Sequence, residues 1–143
     1  MPLIVVGADT PTGRLIIDGM DRDGETRAFV TDPGEAARLR AAGIKVAVGD
    51  VSDDSHVESA SSGCFSAVLV VEAASDGRER SFASSPRAVL EGWARAVSTA
   101  RVHRVIWVGA EHTPEIRAAE VATIGAGDDV ATRVAALDDA YRI

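Results

Sequence analysis

Twelve residues near the amino terminus, Leu3-Ile4-Val5-Val6-Gly7-Ala8-Asp9-Thr10-Pro11-Thr12-Gly13-Arg14, restrict the folds open to this chain more than any other stretch. A short apolar run enters a tight turn, and a helix start follows at once. A run that is apolar on both faces reads as a central parallel strand. Glycine at positions 7 and 13 lets the backbone turn sharply and approach a ligand. The first turn of the helix then presents N–H groups to an anion. The pattern predicts the opening βαβ unit of a nucleotide-binding α/β sheet. The middle of the loop, Asp9-Thr10, departs from the glycine or small neutral residue that such loops usually carry.

The rest of the chain continues the alternation. A first helix covers residues 12–20, with Leu15 and Ile16 facing the sheet, and residues 21–24 break it. A second strand covers 26–31, with Phe29 and Val30 as its buried pair. Asp32-Pro33-Gly34 opens a helix over 35–42, and Gly43 stands where a helix C-terminal glycine belongs. A third strand, 44–48, ends in Gly49-Asp50, and Asp53 or Asp54 caps a short helix reaching residue 60. A fourth strand, 66–71, leads into the polar loop Ser75-Asp76-Gly77-Arg78-Glu79-Arg80-Ser81. Ser85 followed by Pro86 is a strong helix start. Val89, Trp93 and Val97 recur every four residues beyond it, joined by Leu90 and Ala94, so one face of that helix is buried. A fifth strand covers 104–109.

Towards the end, Thr113-Pro114-Glu115 signals another helix. Residues 121–124 fit a sixth strand or the end of that helix, and the strand is preferred because Gly125 and Gly127 follow. Asp128 or Asp129 then opens a last helix, 130–141, with Val130, Val134 and Leu137 on one face. Short apolar strands alternating with amphipathic helices predict an α/β fold. Its form is three-layer and doubly wound, a parallel sheet of five or six strands with helices on both faces. No repeat, linker or low-complexity segment divides residues 1–143, so one domain is expected.

Composition excludes several classes of function. Apolar residues make up 46% and charged residues 26%, as in a globular protein rather than a disordered one. The net charge of −7 argues against nucleic acid and anionic membrane as partners. No secretory signal is visible, and no apolar run approaches the roughly 18 residues of a membrane span. The single cysteine, Cys64, reads as a buried small hydrophobe in a reducing compartment, and cytoplasm is the expected location. His56, His103, His112 and Cys64 show no metal-ligand spacing, so no metal site is expected. Trp93 and Trp107 sit at core spacing. His103 and Cys64 have no evident partner, and Asp138-Asp139 reads as helix surface or a partner contact.

Four segments taken together resemble a known family. They are Val6-Gly7-Ala8-Asp9-Thr10-Pro11-Thr12-Gly13-Arg14, Val30-Thr31-Asp32-Pro33, Gly43-Ile44-Lys45-Val46 through Gly49-Asp50-Val51-Ser52-Asp53, and Val105-Ile106-Trp107-Val108-Gly109. In this order and spacing they resemble the NAD(P)H-binding branch of the atypical short-chain dehydrogenase/reductases, which includes nitrogen-metabolite-repression-type regulators. The resemblance covers residues 1–112 and implies a Rossmann-like core, here ending before the segment that usually builds a substrate pocket. It implies NAD or NADP as cofactor. The candidate contacts are Gly7, Asp9, Thr10, Thr12, Gly13, Arg14, Thr31, Asp50 and Val51. In the family the first loop reads Gly-x-x-Gly-x-x-Gly, so Thr10 replaces the middle glycine. Asp9 adds a negative charge near the phosphate path. Two unit charges about 5 Å apart at an effective dielectric near 20 repel by roughly 3 kcal/mol, about a hundredfold in affinity.

Thr31 stands where many family members place an arginine for the 2′-phosphate of NADP, and Arg14 and Arg38 are the candidates to compensate. Asp50-Val51 matches the position beside the adenine ring, with a helix-capping turn as the alternative role for Asp50. The wider superfamily uses a serine after the fifth strand and a Tyr-x-x-x-Lys pair for proton transfer during hydride transfer. Here Gly109-Ala110-Glu111 occupies the serine region, the only tyrosine is Tyr141, and the only lysine is Lys45. No catalytic residue is therefore assigned. Glu111 and His112 read as a solvated loop, with acid/base work as the alternative. Arg78 and Arg80 read as a charged, mobile loop, with an anion clamp as the alternative. Three functions fit: a nucleotide-binding sensor, regulator or subunit without reductase chemistry; a small NAD(P)H-dependent flavin or quinone reductase; and an interaction protein that has lost its site. A homodimer is possible in each, because a short sheet leaves exposed edges.

Overall fold

A computed structural model describes residues 1–143. The first strand, β1 (Leu3–Val6), is buried throughout. Because side chains alternate along a strand, Ile4 and Val6 point to one face while Leu3 and Val5 point to the other. Thr10 caps α1 (Pro11–Gly19), and β2 (Thr26–Val30) follows. Asp32 caps α2 (Pro33–Ala41), which leads to β3 (Lys45–Val48). Asp53 caps α3 (Asp54–Ser61), and β4 (Ser66–Val70) is again buried along its whole length. A 3-10 turn (Val71–Ala74) intervenes before α4 (Pro86–Thr99), whose cap Ser85 accepts from the Ala88 N–H. Then come β5 (Arg104–Val108), β6 (Glu120–Ile124) and α5 (Val130–Asp139).

All six strands run parallel in the order β3-β2-β1-β4-β5-β6. The expected doubly wound sheet is present, with the sixth strand included. Residues of α1, α2 and α5 cover the Leu3/Val5 face, where Ile16, Leu39 and Val134 are buried. Residues of α3 and α4 cover the Ile4/Val6 face, where Phe29, Trp93, Val97 and Trp107 are buried. The chain leaves β1 in one direction and β4 in the other. The crevice between their carboxyl ends is where open α/β sheets bind ligands.

Three expectations are corrected. Leu15 is exposed, and Ile16 alone of that pair enters the core, because α1 meets the sheet along a narrow stripe. Thr113-Pro114-Glu115 does not open a helix. Residues 109–119 must carry the chain from the carboxyl end of β5 back to the amino end of β6, a span that an extended chain covers at about 3.3 Å per residue against about 1.5 Å for a helix. Ile116 and Ala118 pack inwards against the α4 side of the core, and the Arg117 N–H donates to Ser98 Oγ at 3.2 Å. Asp138 is not plain helix surface. It pairs with Arg22 at 2.9 Å, both side chains being about nine-tenths buried, and so ties α5 to the α1–β2 connection. His103, without an evident partner in the sequence, stacks on Phe65 with ring centroids 4.7 Å apart.

Candidate functional site

The β1–α1 turn is built by its two glycines. Gly7 has a φ of +83°, and a β-carbon there would meet Ala73 Cβ at 2.9 Å and the Val70 carbonyl at 3.1 Å. At Gly13 a β-carbon would lie 2.2 Å from the Gly7 carbonyl oxygen, so glycine lets α1 pack directly on the turn. Thr10 is wholly buried between them. Its hydroxyl donates to the Gly7 carbonyl at 2.8 Å and accepts from the Gly13 N–H at 2.8 Å. The threonine that replaces the middle glycine is therefore the helix cap. Its side chain takes one of the N–H groups that a phosphate would otherwise use. Pro11, the first helical residue, has no N–H to offer. From Gly7 to Arg14, the Asp9 and Thr12 N–H groups are those left without a protein acceptor.

Asp9 is placed by β2 and by the loop after β4. One carboxylate oxygen accepts from the Thr31 N–H at 2.9 Å and from the Asp32 N–H at 3.2 Å. The other pairs with Arg78 at 2.8 Å, with side-chain exposures of 5% and 10%. Arg78 also donates to Thr31 Oγ1 at 3.1 Å and grips Asp76 through two nitrogens at 2.8 Å each. Arg80 reaches the same Asp76 at 3.1 Å and donates to the Ala73 and Asp76 carbonyls. Glu79 of this loop is exposed, but Arg78 and Arg80 are largely covered parts of a network. The anion that Arg78 holds is the chain's own Asp9. The premise of an unopposed charge at Asp9 is corrected accordingly, since two arginines balance two aspartates here. Burial alone would raise the Asp76 carboxyl and lower Arg78. The hydrogen bonds and charges they share outweigh it, holding Asp76 below the usual carboxylate range and Arg78 above its ordinary value.

Asp50, after β3, accepts from the Ser52 N–H at 2.8 Å, from the Ser52 hydroxyl at 2.6 Å and from the Ser81 N–H at 2.7 Å. Burial pushes its carboxyl up, but these donors bring it below the ordinary value. Thr12 donates its hydroxyl to Glu72 of the 3-10 turn at 2.9 Å. Gly7, Asp9, Thr10, Thr12, Gly13, Thr31 and Asp50 thus lie along one side of the carboxyl edge. The Val51 side chain is fully buried in the core, and its carbonyl accepts from the Trp93 indole N–H at 2.8 Å, so its backbone N–H, which has no protein acceptor, is the part of Val51 that a ligand can meet. Arg14 pairs with Glu35 in the first turn of α2 at 3.3 Å, and Arg38 with the same Glu35 at 2.8 Å. Glu111 and His112 are exposed beyond β5. No group of three or more His, Cys, Asp or Glu side chains is placed to hold a metal ion. No helix is long and apolar enough to cross a membrane.

A dinucleotide fits one half of this edge better than the other. The turn retains the glycines and two free N–H groups for a pyrophosphate. Beside it, the Asp9, Thr31 and Asp50 positions are engaged by residues 76–82. Sequence inspection identified these residue types but missed their partners. Arg78 and Ser81 lie 69 and 31 residues from the groups they bind, and no periodicity links such distant positions.

Among solved structures the chain is similar to the triphenylmethane reductase of Citrobacter sp. complexed with NADP(H), with a TM-score of 0.63 at 18% identity over 76% of this chain and 37% of that one. It is also similar to the NADPH-dependent quinone oxidoreductase of Escherichia coli complexed with NADPH, with a TM-score of 0.61 at 21% identity over 75% of this chain and 36% of that one. An anaerobilin reductase of Escherichia coli O157:H7 gives a TM-score of 0.58 at 18% identity, over 77% of this chain and 51% of that one. This chain therefore spans between about a third and a half of those proteins, and the likeness at such identities is one of fold. No curated protein matches the sequence. The model of the NAD(P)H-binding family matches residues 7–138. With the sheet order, the glycine turn and a match over nearly its whole length, the chain belongs to the NAD(P)H-binding family.

Proposed function

We propose that this chain is a nucleotide-sensing, regulatory or subunit domain that binds NAD or NADP and has no reductase chemistry of its own. The position of its tyrosine and lysine carries the reading. Tyr141 lies beyond α5, and its carbonyl accepts from Arg104, the first residue of β5. Lys45 is the first residue of β3 and pairs with Glu25. Both stand at the amino edge of the sheet, a strand length of roughly 10 Å from the carboxyl edge where the ligand crevice lies. Neither can pass a proton to a substrate held there, and Gly109-Ala110-Glu111 offers no hydroxyl after β5. In this reading the Asp9 and Thr12 N–H groups meet the pyrophosphate, and Thr31 and Asp50 face the adenosine.

Calorimetric titration with NAD, NADH, NADP and NADPH tests the binding. Heat from at least one of the four is expected. An assay of NAD(P)H oxidation with quinones and flavins tests the chemistry, and no turnover above buffer is expected. Turnover would place the chain with the small oxidoreductases instead. Neither heat nor thermal shift at millimolar ligand would leave it an interaction protein.

A further inference from the structure

The residues after β4 do more than lead to α4. Between Glu72 and Phe82 they reach every turn on the β1-β2-β3 half of the carboxyl edge. Glu72 accepts from the Thr12 hydroxyl in the β1–α1 turn. Arg78 binds Asp9 of that turn and Thr31 of the β2–α2 turn. Beyond β3, the Ser81 N–H donates to Asp50, and the Phe82 N–H donates to Ser52 Oγ at 3.0 Å. The segment is braced from within, since Asp76 grips the Arg78 guanidinium and is itself held by Arg80.

In a sheet of this order, a dinucleotide lies across the carboxyl edge, with its pyrophosphate at the first helix and its adenosine towards the ends of β2 and β3. Asp9 and Arg78 in contact at 2.8 Å, with Arg78 on Thr31 as well, leave no space for a ribose between them. The hydrogen bond from Ser81 occupies the Asp50 carboxylate oxygen that would otherwise face an adenine amino group.

We propose that residues 72–82 are a strap that occupies the adenosine half of the groove in competition with the dinucleotide. The inference rests on the binding reading given above and adds its regulation. The cofactor binds only the strap-open form, so its apparent dissociation constant is the intrinsic one divided by the open fraction. Anything that frees Arg78 from Asp9, or Ser81 from Asp50, raises affinity without touching a group that the cofactor needs for its phosphates.

Two variants that keep the net charge test this. Ser81→Pro removes the N–H that Asp50 accepts. Asp9→Asn with Arg78→Gln removes the ion pair, one charge of each sign. The full chain and both variants are titrated by calorimetry with NADH and NADPH, and amide exchange is followed over residues 78–82. Circular dichroism confirms that the fold is retained. Both variants are expected to bind at least about tenfold more tightly than the unaltered chain, with faster exchange in the strap. Binding by all three chains with equal affinity would overturn the strap and leave the binding reading intact. Selective loss of NADPH binding in the double variant would also overturn it, because Arg78 would then be a phosphate contact and not a competitor. Absence of binding by all three would overturn the strap and the binding reading together.

Discussion

Thr10 and Gly13 show how one residue can serve a fold and limit a site at once. Gly13 is required by distance. A methyl group there would press on the Gly7 carbonyl and the Ala8 backbone, which cannot rotate away as a side chain could. Gly13→Ala is expected to cost about 2 kcal/mol of stability, as overpacking does, and a shift in the urea midpoint measures it. A loss below about 0.5 kcal/mol, the range of an ordinary surface change, would show that the turn is softer than its contacts imply. Thr10 gives α1 its cap, and in doing so withdraws the Gly13 N–H from any ligand. The glycines and the odd threonine are visible in the sequence, but the hydroxyl's two partners are not. Whether a threonine at this point clashes with a phosphate or caps the helix depends on its side-chain rotamer and on the path of the turn.

At the scale of elements, the regular pieces follow from local patterning, and the irregular ones follow from what they must connect. Ser85-Pro86 and the Val89/Trp93/Val97 stripe place α4 because a cap, a first-turn proline and an apolar face agree. Residues 113–115 carry the same kind of start signal and still run extended, because the chain has to cross the sheet to reach β6. The last two elements depend on Arg104. Its side chain is 2% exposed, pairs with Glu120 of β6 at 2.6 Å and donates to the Leu137 and Asp138 carbonyls at 2.7 and 3.1 Å. One guanidinium thus fastens β6 and the end of α5 to the foot of β5. Arg104→Met keeps the apolar stem and strips these partners of their donor. A loss of about 3 kcal/mol is expected, as for breaking a buried ion pair. Amide exchange should show α5 and β6 opening before β1 and β4. Uniform exchange across the sheet would contradict this division.

For the whole molecule, a net charge of −7 is managed by holding several acids in contact with donors. Asp50 and Asp76 have folded-state values below their ordinary ones. Between those values and the ordinary one the unfolded chain binds more protons, so stability rises with pH there. The contribution is complete above the ordinary carboxylate value of about 4, and it is lost as pH falls through the lower folded values. Urea midpoints are expected to stay level from neutral pH to about 5 and to fall below about 4. Asp50→Asn should reduce the slope of that fall. An identical profile in the variant would mean that the Ser52 and Ser81 bonds do not favour the ionised form.

The sequence by itself determined the order of elements and the winding of the sheet. Apolar runs of four or five residues, caps and turn glycines act within a few neighbours, and a parallel αβ alternation has few chiral solutions. It also determined the glycine turn and the absence of a tyrosine–lysine pair in catalytic spacing. Only the tertiary structure decided the fate of the charged residues. Asp9, Arg78, Asp50 and Ser81 come from three different loops, and a hydrogen bond forms only where the fold brings donor and acceptor to within about 3 Å. At that distance an acid that seemed to repel a cofactor becomes the partner of the chain's own arginine.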